Sequence, residues 1–297
     1  MSDNQTNTKN IEHEGELATH YSTLFSKETK ADLSKYLEGK NVILVGPAPY
    51  LENQKIGSLI DSFDVVVRLK SGYPIPNQLK KDIGNRIDLW YTNLKPDQNH
   101  LISSTYENME KNGLKTIVFP YPINYERNNA FKMSILKLIG LLRRNFQQGV
   151  DSIQKHFKRR NKPCPFNITY DNTSLYFQNL GKIIGCRPTT GMLAIMDLLQ
   201  YDIKKLQLVG FSFRYEVLNE QENQSKNTNL FEGNPNKLLN LYSTYYKSDK
   251  AAIRSWKKTL ANKTHEIKKE LIFLKELRTL DTRLKVDSHL HNILDKI

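Results

Sequence analysis

Residues 41–93, NVILVGPAPYLENQKIGSLIDSFDVVVRLKSGYPIPNQLKKDIGNRIDLWYTN, limit what this chain can fold into more than any other segment. A short apolar, β-branched run at 41–45 stops at Gly46, the pattern of a buried strand that hands its carboxyl end to a backbone turn. A second run of the same character follows at 64–69 (DVVVRL), and residues 57–62 between the two can cross over as a short helix. Strand, helix and strand in this order make a compact βαβ unit, so the expected fold is α/β with a mostly parallel sheet. Ligands of such sheets collect in the crevice beyond the strand carboxyl ends. That places Gly46, Pro47, Ala48, Arg68 and Lys70 where a phosphate would sit.

A chain of 297 residues can bury a full core. The expected organisation is a polar tail at 1–30 followed by a single domain at 31–297, with a basic helical insertion around 127–165. The opening MSDNQTNTKNIEHEG is polar and no run of 18 apolar residues occurs. Neither a signal peptide nor a spanning helix is therefore expected, and cytoplasmic residence is the default. Without an export signal, Cys164 and Cys186 read as reduced thiols. The net charge of +13 is uneven: residues 111–160 hold eleven Lys or Arg against Glu126 and Asp151. Such a patch attracts phosphates or anionic lipid, whereas no nucleic-acid-binding signature accompanies it. Within it, residues 131–146 (FKMSILKLIGLLRRNF) set Phe131, Ile135, Leu138, Ile139, Leu142 and Phe146 on one helical face. That arc suits a core helix first, and second a helix lying in a membrane interface at the inner face of a membrane.

Residues 185–213 (GCRPTTGMLAIMDLLQYDIKKLQLVGFSF) carry the second informative pattern. Thr189 or Thr190 can cap a helix that starts near Gly191 and buries Met192, Ile195, Met196 and Leu199. The unpaired N–H groups and the dipole of such a helix start favour an anion. A strand at 206–209 then ends at Gly210 and Phe211. Residues 31–39 read as a short helix closed by a glycine, and 116–119 as one more strand stopped by Pro120 and Pro122. Residues 216–240 read as a long loop near the site. The run THEIKKELIFLKEL at 264–277 reads as a helix capped by Thr264, with Ile267, Leu271 and Leu274 buried. His265 stands at its start. Glu270 falls about 140° further round and is expected to be structural. His289 and His291 lack further ligands at suitable spacing and read as surface residues.

Three blocks of this sequence resemble, in order, motifs of the sialyltransferases of glycosyltransferase family 29. The first carries Val45, Gly46, Leu51, Gly57, Ile60, Asp61, Asp64, Val66, Arg68, Asp82, Gly84 and Arg86 of the large motif. The second carries Pro188, Thr189, Thr190, Gly191, Gly210 and Phe211 of the small motif. The third carries His265 and Glu270 of the His-x4-Glu motif. Pro47 and Lys70 depart from it, since the family usually has Asn at both places. The large motif here also lacks the cysteine through which animal members link their two main motifs.

The resemblance implies a Rossmann-like α/β/α sandwich and transfer of sialic acid, with inversion, from CMP-sialic acid to a hydroxyl of a glycan or lipid-linked glycan. It implies donor contacts at Gly46, Pro47, Ala48, Arg68, Lys70, Asn93, Thr189, Thr190, Gly191, Gly210 and Phe211, and His265 as general base. Where the family usually presents a further histidine before aromatics, this chain has Thr244, Tyr245, Tyr246 and Lys247. Thr244, Tyr245 or Tyr246 can supply a hydroxyl in its place, or Lys247 a charge. No Asp-x-Asp pair occurs, so no metal and no cofactor beyond the activated sugar is expected. Two alternatives stay open: a CMP-Kdo-dependent transferase acting on capsule or lipooligosaccharide, and a sugar-nucleotide or glycan binding module without turnover. A retaining Kdo enzyme would need a carboxylate nucleophile, for which Asp82 and Asp88 are the candidates.

Overall fold

The computed structural model describes residues 29–70, 75, 77–92, 107, 110–121, 150, 153–170, 174–213, 215 and 266–297. Seven strands, β1 (Asn41–Val45), β2 (Val65–Leu69), β3 (Leu89–Tyr91), β4 (Thr116–Phe119), β5 (Asn167–Tyr170), β6 (Lys205–Val209) and β7 (Leu284–Val286), form one sheet in the order β5-β4-β3-β2-β1-β6-β7. Every pairing is parallel, with Val42 opposite both Val65 and Leu206. The helices are α1 (Ala31–Leu37), α2 (Gly57–Asp61), α3 (Lys80–Ile83), α4 (Ser174–Ile184), α5 (Thr190–Leu198), α6 (Ile267–Leu280) and α7 (Ser288–Leu294), with a further helical stretch at 153–158.

The strands are apolar on both sides because both faces of the sheet are covered. Side chains alternate along a strand. Val42, Leu44, Val65, Val67, Leu89 and Tyr91 enter one core with α1, α4, α5, α6 and α7. Ile43, Val45, Val66, Trp90, Ile117 and Phe119 enter the other, with Ile60, Leu79, Ile83, Ile153 and Phe157. The result is the expected α/β/α sandwich. From β1 the chain runs outward through β5, then returns to β6 on the other side of β1. The strand order reverses between β1 and β6, and the crevice at their carboxyl ends is the place such folds bind ligands.

The densest part of the first motif sits elsewhere. The backbone N–H groups of Asn85 and Arg86 donate to the Asp61 carboxylate at 2.9 and 3.0 Å. Arg86 donates in turn to the carbonyls of Phe63 and Asp64, each at 2.6 Å, and pairs with Asp88 at 3.0 Å. Asp88 also accepts from the Val66 N–H at 2.8 Å. Asp64 accepts from the Asn41 N–H at 2.8 Å, and that bond holds its carboxyl below the usual range. Asp64 and Asp88 directly precede β2 and β3, so this network locks the amino ends of the strands. Gly57 and Gly84 let α2 and α3 touch: a Cβ on Gly57 would lie 2.4 Å from the Lys80 carbonyl oxygen, and one on Gly84, at φ +71°, 2.3 Å from the Asp61 carboxylate.

Six elements were not expected. β3, β5, β7, α3 and α7 are too short to carry a periodic signal, whereas α4 carries a readable one, burying Phe177, Leu180 and Ile184 at helical spacing. α6 runs from Ile267 with Glu266 at the N-cap position, while Thr264 lies outside the described residues. The apolar segment at 131–146 and the long loop at 216–240 also lie outside them. α5 has almost no polar face, because it is packed beneath the sheet and buries Thr190 and residues 192–198. Within that core the Tyr91 hydroxyl donates to Asp197 at 2.7 Å, tying β3 to α5. Burial, and then the Asp197 charge, push the Tyr91 phenol well above its ordinary value.

Candidate active site

At the β1/β6 switch point the two turns after the strands are bonded to each other. Gly46 N–H donates to the Val209 carbonyl at 2.8 Å and Ala48 N–H to the Gly210 carbonyl at 2.9 Å. A Cβ on Gly46 would lie 2.3 Å from the Gly210 carbonyl oxygen, so only glycine permits this approach. The N–H groups of Gly210 and Phe211 donate to the Tyr50 hydroxyl at 2.8 and 3.1 Å, and that hydroxyl donates to Asp287. Burial, and then the Asp287 charge, push the Tyr50 phenol far above its ordinary value, so it stays protonated.

These bonds show where the backbone N–H groups of the first group of residues are directed. The backbone donors of Gly46, Ala48, Gly210 and Phe211 are directed inward and are not offered to a phosphate at this position. Phe211 is a buried wall rather than a ligand platform: it is 5% exposed. Its ring reaches within 2.9 Å of where a Gly46 Cβ would stand and 3.0 Å of a Gly191 Cβ. The two motif glycines thus admit the same ring. Arg68 is 1% exposed and donates to the carbonyls of Arg86 (2.9 Å) and Ile83 (2.8 Å), bonds that tie it into the fold. Pro47 is exposed at the turn. Lys70 stands at the end of β2 with φ +33°, its carbonyl accepting from the Trp90 indole N–H at 3.0 Å.

The second group forms the helix start as expected. Thr189 is the N-cap of α5, and its hydroxyl accepts from the Met192 N–H at 3.2 Å. Its own N–H donates to Glu270, a carboxylate 1% exposed, at 2.5 Å. Glu270 is therefore structural, as its position on α6 implies, and it fastens α6 to the Pro188–Gly191 turn. Lys269 adds a bond to the Gly185 carbonyl at 3.1 Å, and Cys186 Sγ lies 3.9 Å from the Glu266 carbonyl oxygen. Thr190 and Gly191 occupy the first turn, where N–H groups have no intrahelical acceptor. The Thr190 hydroxyl shares a 2.7 Å hydrogen bond with the Tyr121 hydroxyl, and the Arg187 guanidinium stands 5.7 Å from the centre of the Tyr121 ring.

What the described residues offer an anion is thus the start of α5, with Tyr121 and Arg187 beside it. Tyr121 was absent from the sequence-based candidates, although an aromatic residue directly after a strand and between two prolines was a readable signal. Asn93, Tyr245, Tyr246 and His265 lie outside the described residues. Glu266, the residue after His265, stands beside Cys186 and so beside the same turn. Asp82 and Asp88 are no nucleophiles: they are 6% and 2% exposed, Asp82 accepting from the Lys55 N–H at 2.9 Å and Asp88 engaged at the strand amino ends.

His291 is exposed as expected, but His289 is half-buried and stacks on Tyr50 with ring centres 3.8 Å apart. Cys164 and Cys186 are both free thiols, and burial raises the Cys186 thiol to about 11, which keeps it inert near neutral pH. Among the described residues no cluster of side chains suits a metal ion, and no helix is long and apolar enough to cross a membrane.

A seven-stranded parallel sheet with an anion-ready helix start beside its switch point is the scaffold of a nucleotide-dependent enzyme. The sequence profile of glycosyltransferase family 29 (sialyltransferase) matches residues 3–226, about three quarters of the chain. The protein belongs to that family and is a sialyltransferase-like glycosyltransferase. The block at 264–277 lies beyond the matched span. No curated protein matches the sequence. Among solved structures, a mammalian sialyltransferase is 15% identical with a TM-score of 0.39, over 91% of this chain and 78% of its own. The sialyltransferase CstII from Campylobacter jejuni, in complex with a substrate analogue, cytidine-5'-monophosphate, is 16% identical with a TM-score of 0.34, over 60% and 64%. An apo α-2,3-sialyltransferase from C. jejuni is 16% identical with a TM-score of 0.33, over 70% and 73%.

Proposed function

We propose that the protein transfers sialic acid from CMP-sialic acid to a glycan hydroxyl, with inversion and without a metal. The observation that supports this most is the open start of α5. Thr190 and Gly191 present backbone N–H groups there, and Tyr121 and Arg187 supply a hydroxyl and a cation. A nucleoside monophosphate leaving group carries a single phosphate, which such donors stabilise without a divalent ion. The acceptor oxygen forms its bond to the anomeric carbon as the bond from that carbon to the phosphate oxygen breaks. CMP departs, and the acceptor proton passes to His265. The burial of Asp82 on the Lys55 N–H and of Asp88 at the strand amino ends favours direct displacement over a covalent carboxylate intermediate.

Calorimetry with CMP in the presence of EDTA tests the donor site. Saturable binding is expected, and its absence at millimolar CMP with folded protein would remove the donor reading. Offering CMP-sialic acid and CMP-Kdo side by side to lipooligosaccharide acceptors, with product masses as the readout, then tests the sugar. Turnover with CMP-Kdo alone would replace sialic acid as the substrate.

The same reading brings the acceptor to an anionic membrane surface. Ile153 and Phe157 anchor the helical stretch at 153–158 in the core, while Lys155, Lys158, Arg159, Arg160 and Lys162 stay exposed around it. Flotation with vesicles should show binding to phosphatidylserine-containing membranes that salt reverses. Equal binding to neutral vesicles would contradict it.

A further inference from the structure

We infer that Tyr50 is a positioning residue of the donor site, setting through Phe211 the geometry of the helix start that holds the phosphate. The inference rests on the donor reading above. It comes from a chain of contacts between three strand ends that lie far apart in sequence. The Tyr50 hydroxyl has one hydrogen to give and two lone pairs to fill, and all three are used: it donates to Asp287 and accepts from the Gly210 and Phe211 N–H groups. Asp287 is itself held, since its second oxygen caps α7 by accepting from the Leu290 N–H at 2.9 Å. His289, in the first turn of that helix, lies flat on the Tyr50 ring with an interplanar angle of 22°. The loop after β1, the loop after β6 and the helix after β7 therefore meet on one oxygen.

The consequence reaches the site through a single ring. With its N–H fixed by Tyr50, Phe211 sits wedged between Gly46 and Gly191. Gly191 belongs to the first turn of α5, whose N–H groups face the phosphate. The two N–H groups that the hydroxyl engages are closed to a ligand's acceptor, which leaves the α5 start beside Thr190 and Tyr121 for the phosphate. Tyr50 touches neither donor nor acceptor in this account and acts by holding Phe211.

The test compares CMP with cytidine, which differ by the phosphate alone. In the full-length protein, Tyr50→Phe should weaken CMP binding on the order of tenfold and leave cytidine binding nearly unchanged, the scale of one lost, well-placed hydrogen bond. A residue that merely contributes stability would lower the melting temperature and leave the CMP-to-cytidine ratio of the folded protein intact, and that result would overturn the inference. If Tyr50→Phe does not fold, His289→Ala removes the stacked ring and keeps all three bonds of the hydroxyl. It should reduce the same ratio by a smaller factor, about two- to fivefold, and an unchanged ratio would overturn the inference. Wild-type protein that binds neither ligand would sink the donor reading and this inference with it. Wild-type discrimination that persists in both variants would sink the inference alone.

Discussion

Replacing His265 with Ala should lower turnover by about 10² to 10⁴ while leaving CMP affinity nearly unchanged, the usual contribution of a positioned general base. The base acts on the acceptor hydroxyl, so its loss should appear in kcat and leave donor binding alone. The acid limb that a base of this kind imposes on the pH–rate profile should vanish in the variant. His265 directly precedes Glu266, the N-cap residue of α6. His291→Ala is the proper control, because His291 is exposed and lies 3.3 Å from Asp295 on its own helix. His289 would be a poor one, given its stack on Tyr50. Near wild-type turnover in His265→Ala, with a verified donor and acceptor, would move the search for the base to another residue.

The second large effect concerns stability. Arg86→Leu should destabilise the fold by about 3 kcal/mol, since it leaves Asp88 buried without its cation and the Phe63 and Asp64 carbonyls without a charged donor. Asp88 retains the Val66 N–H and the Tyr36 hydroxyl, at 2.8 and 3.2 Å, which keeps the loss below that of a fully stranded charge. Urea denaturation reads the change as a lower midpoint with a similar slope. CMP affinity of the folded protein should not move, because the network lies at the amino ends of β2 and β3, across the sheet from the α5 start. Lost CMP binding at unchanged stability would mean instead that the motif arginine reaches the donor.

The first motif was legible as a βαβ unit because buried parallel strands need apolar residues on both faces, and 41–45 and 65–69 are such runs. The Pro-Thr-Thr-Gly helix start was legible for a similarly local reason. Thr189 caps within its own turn, and capping depends on residues three apart. What local patterns left hidden was the division of labour. Asp61, Asp64, Arg68, Asp82 and Arg86 have the chemistry of a phosphate or catalytic site and serve as internal ligands of the backbone. Hydrogen bonds to backbone groups from other segments decide between those roles, at exposed Asp64 as at buried Arg68, and such pairing has no periodic signature.

The sequence alone determined the class of sheet, the helix with an anion-ready start and the family to which these belong. The first two follow from residues within a few positions of one another, and the family from three such blocks in order. Only the tertiary structure decided which donors remain for a ligand. Tyr50 is 160 residues from Gly210 and 237 from Asp287, and Glu270 is 81 from Thr189. These groups meet because β6 returns beside β1 and β7 beside β6, with α6 packed against the α5 turn. A hydrogen-bonding group satisfied by the fold is closed to a substrate, and which groups those are depends on strand order, which no local stretch of sequence encodes.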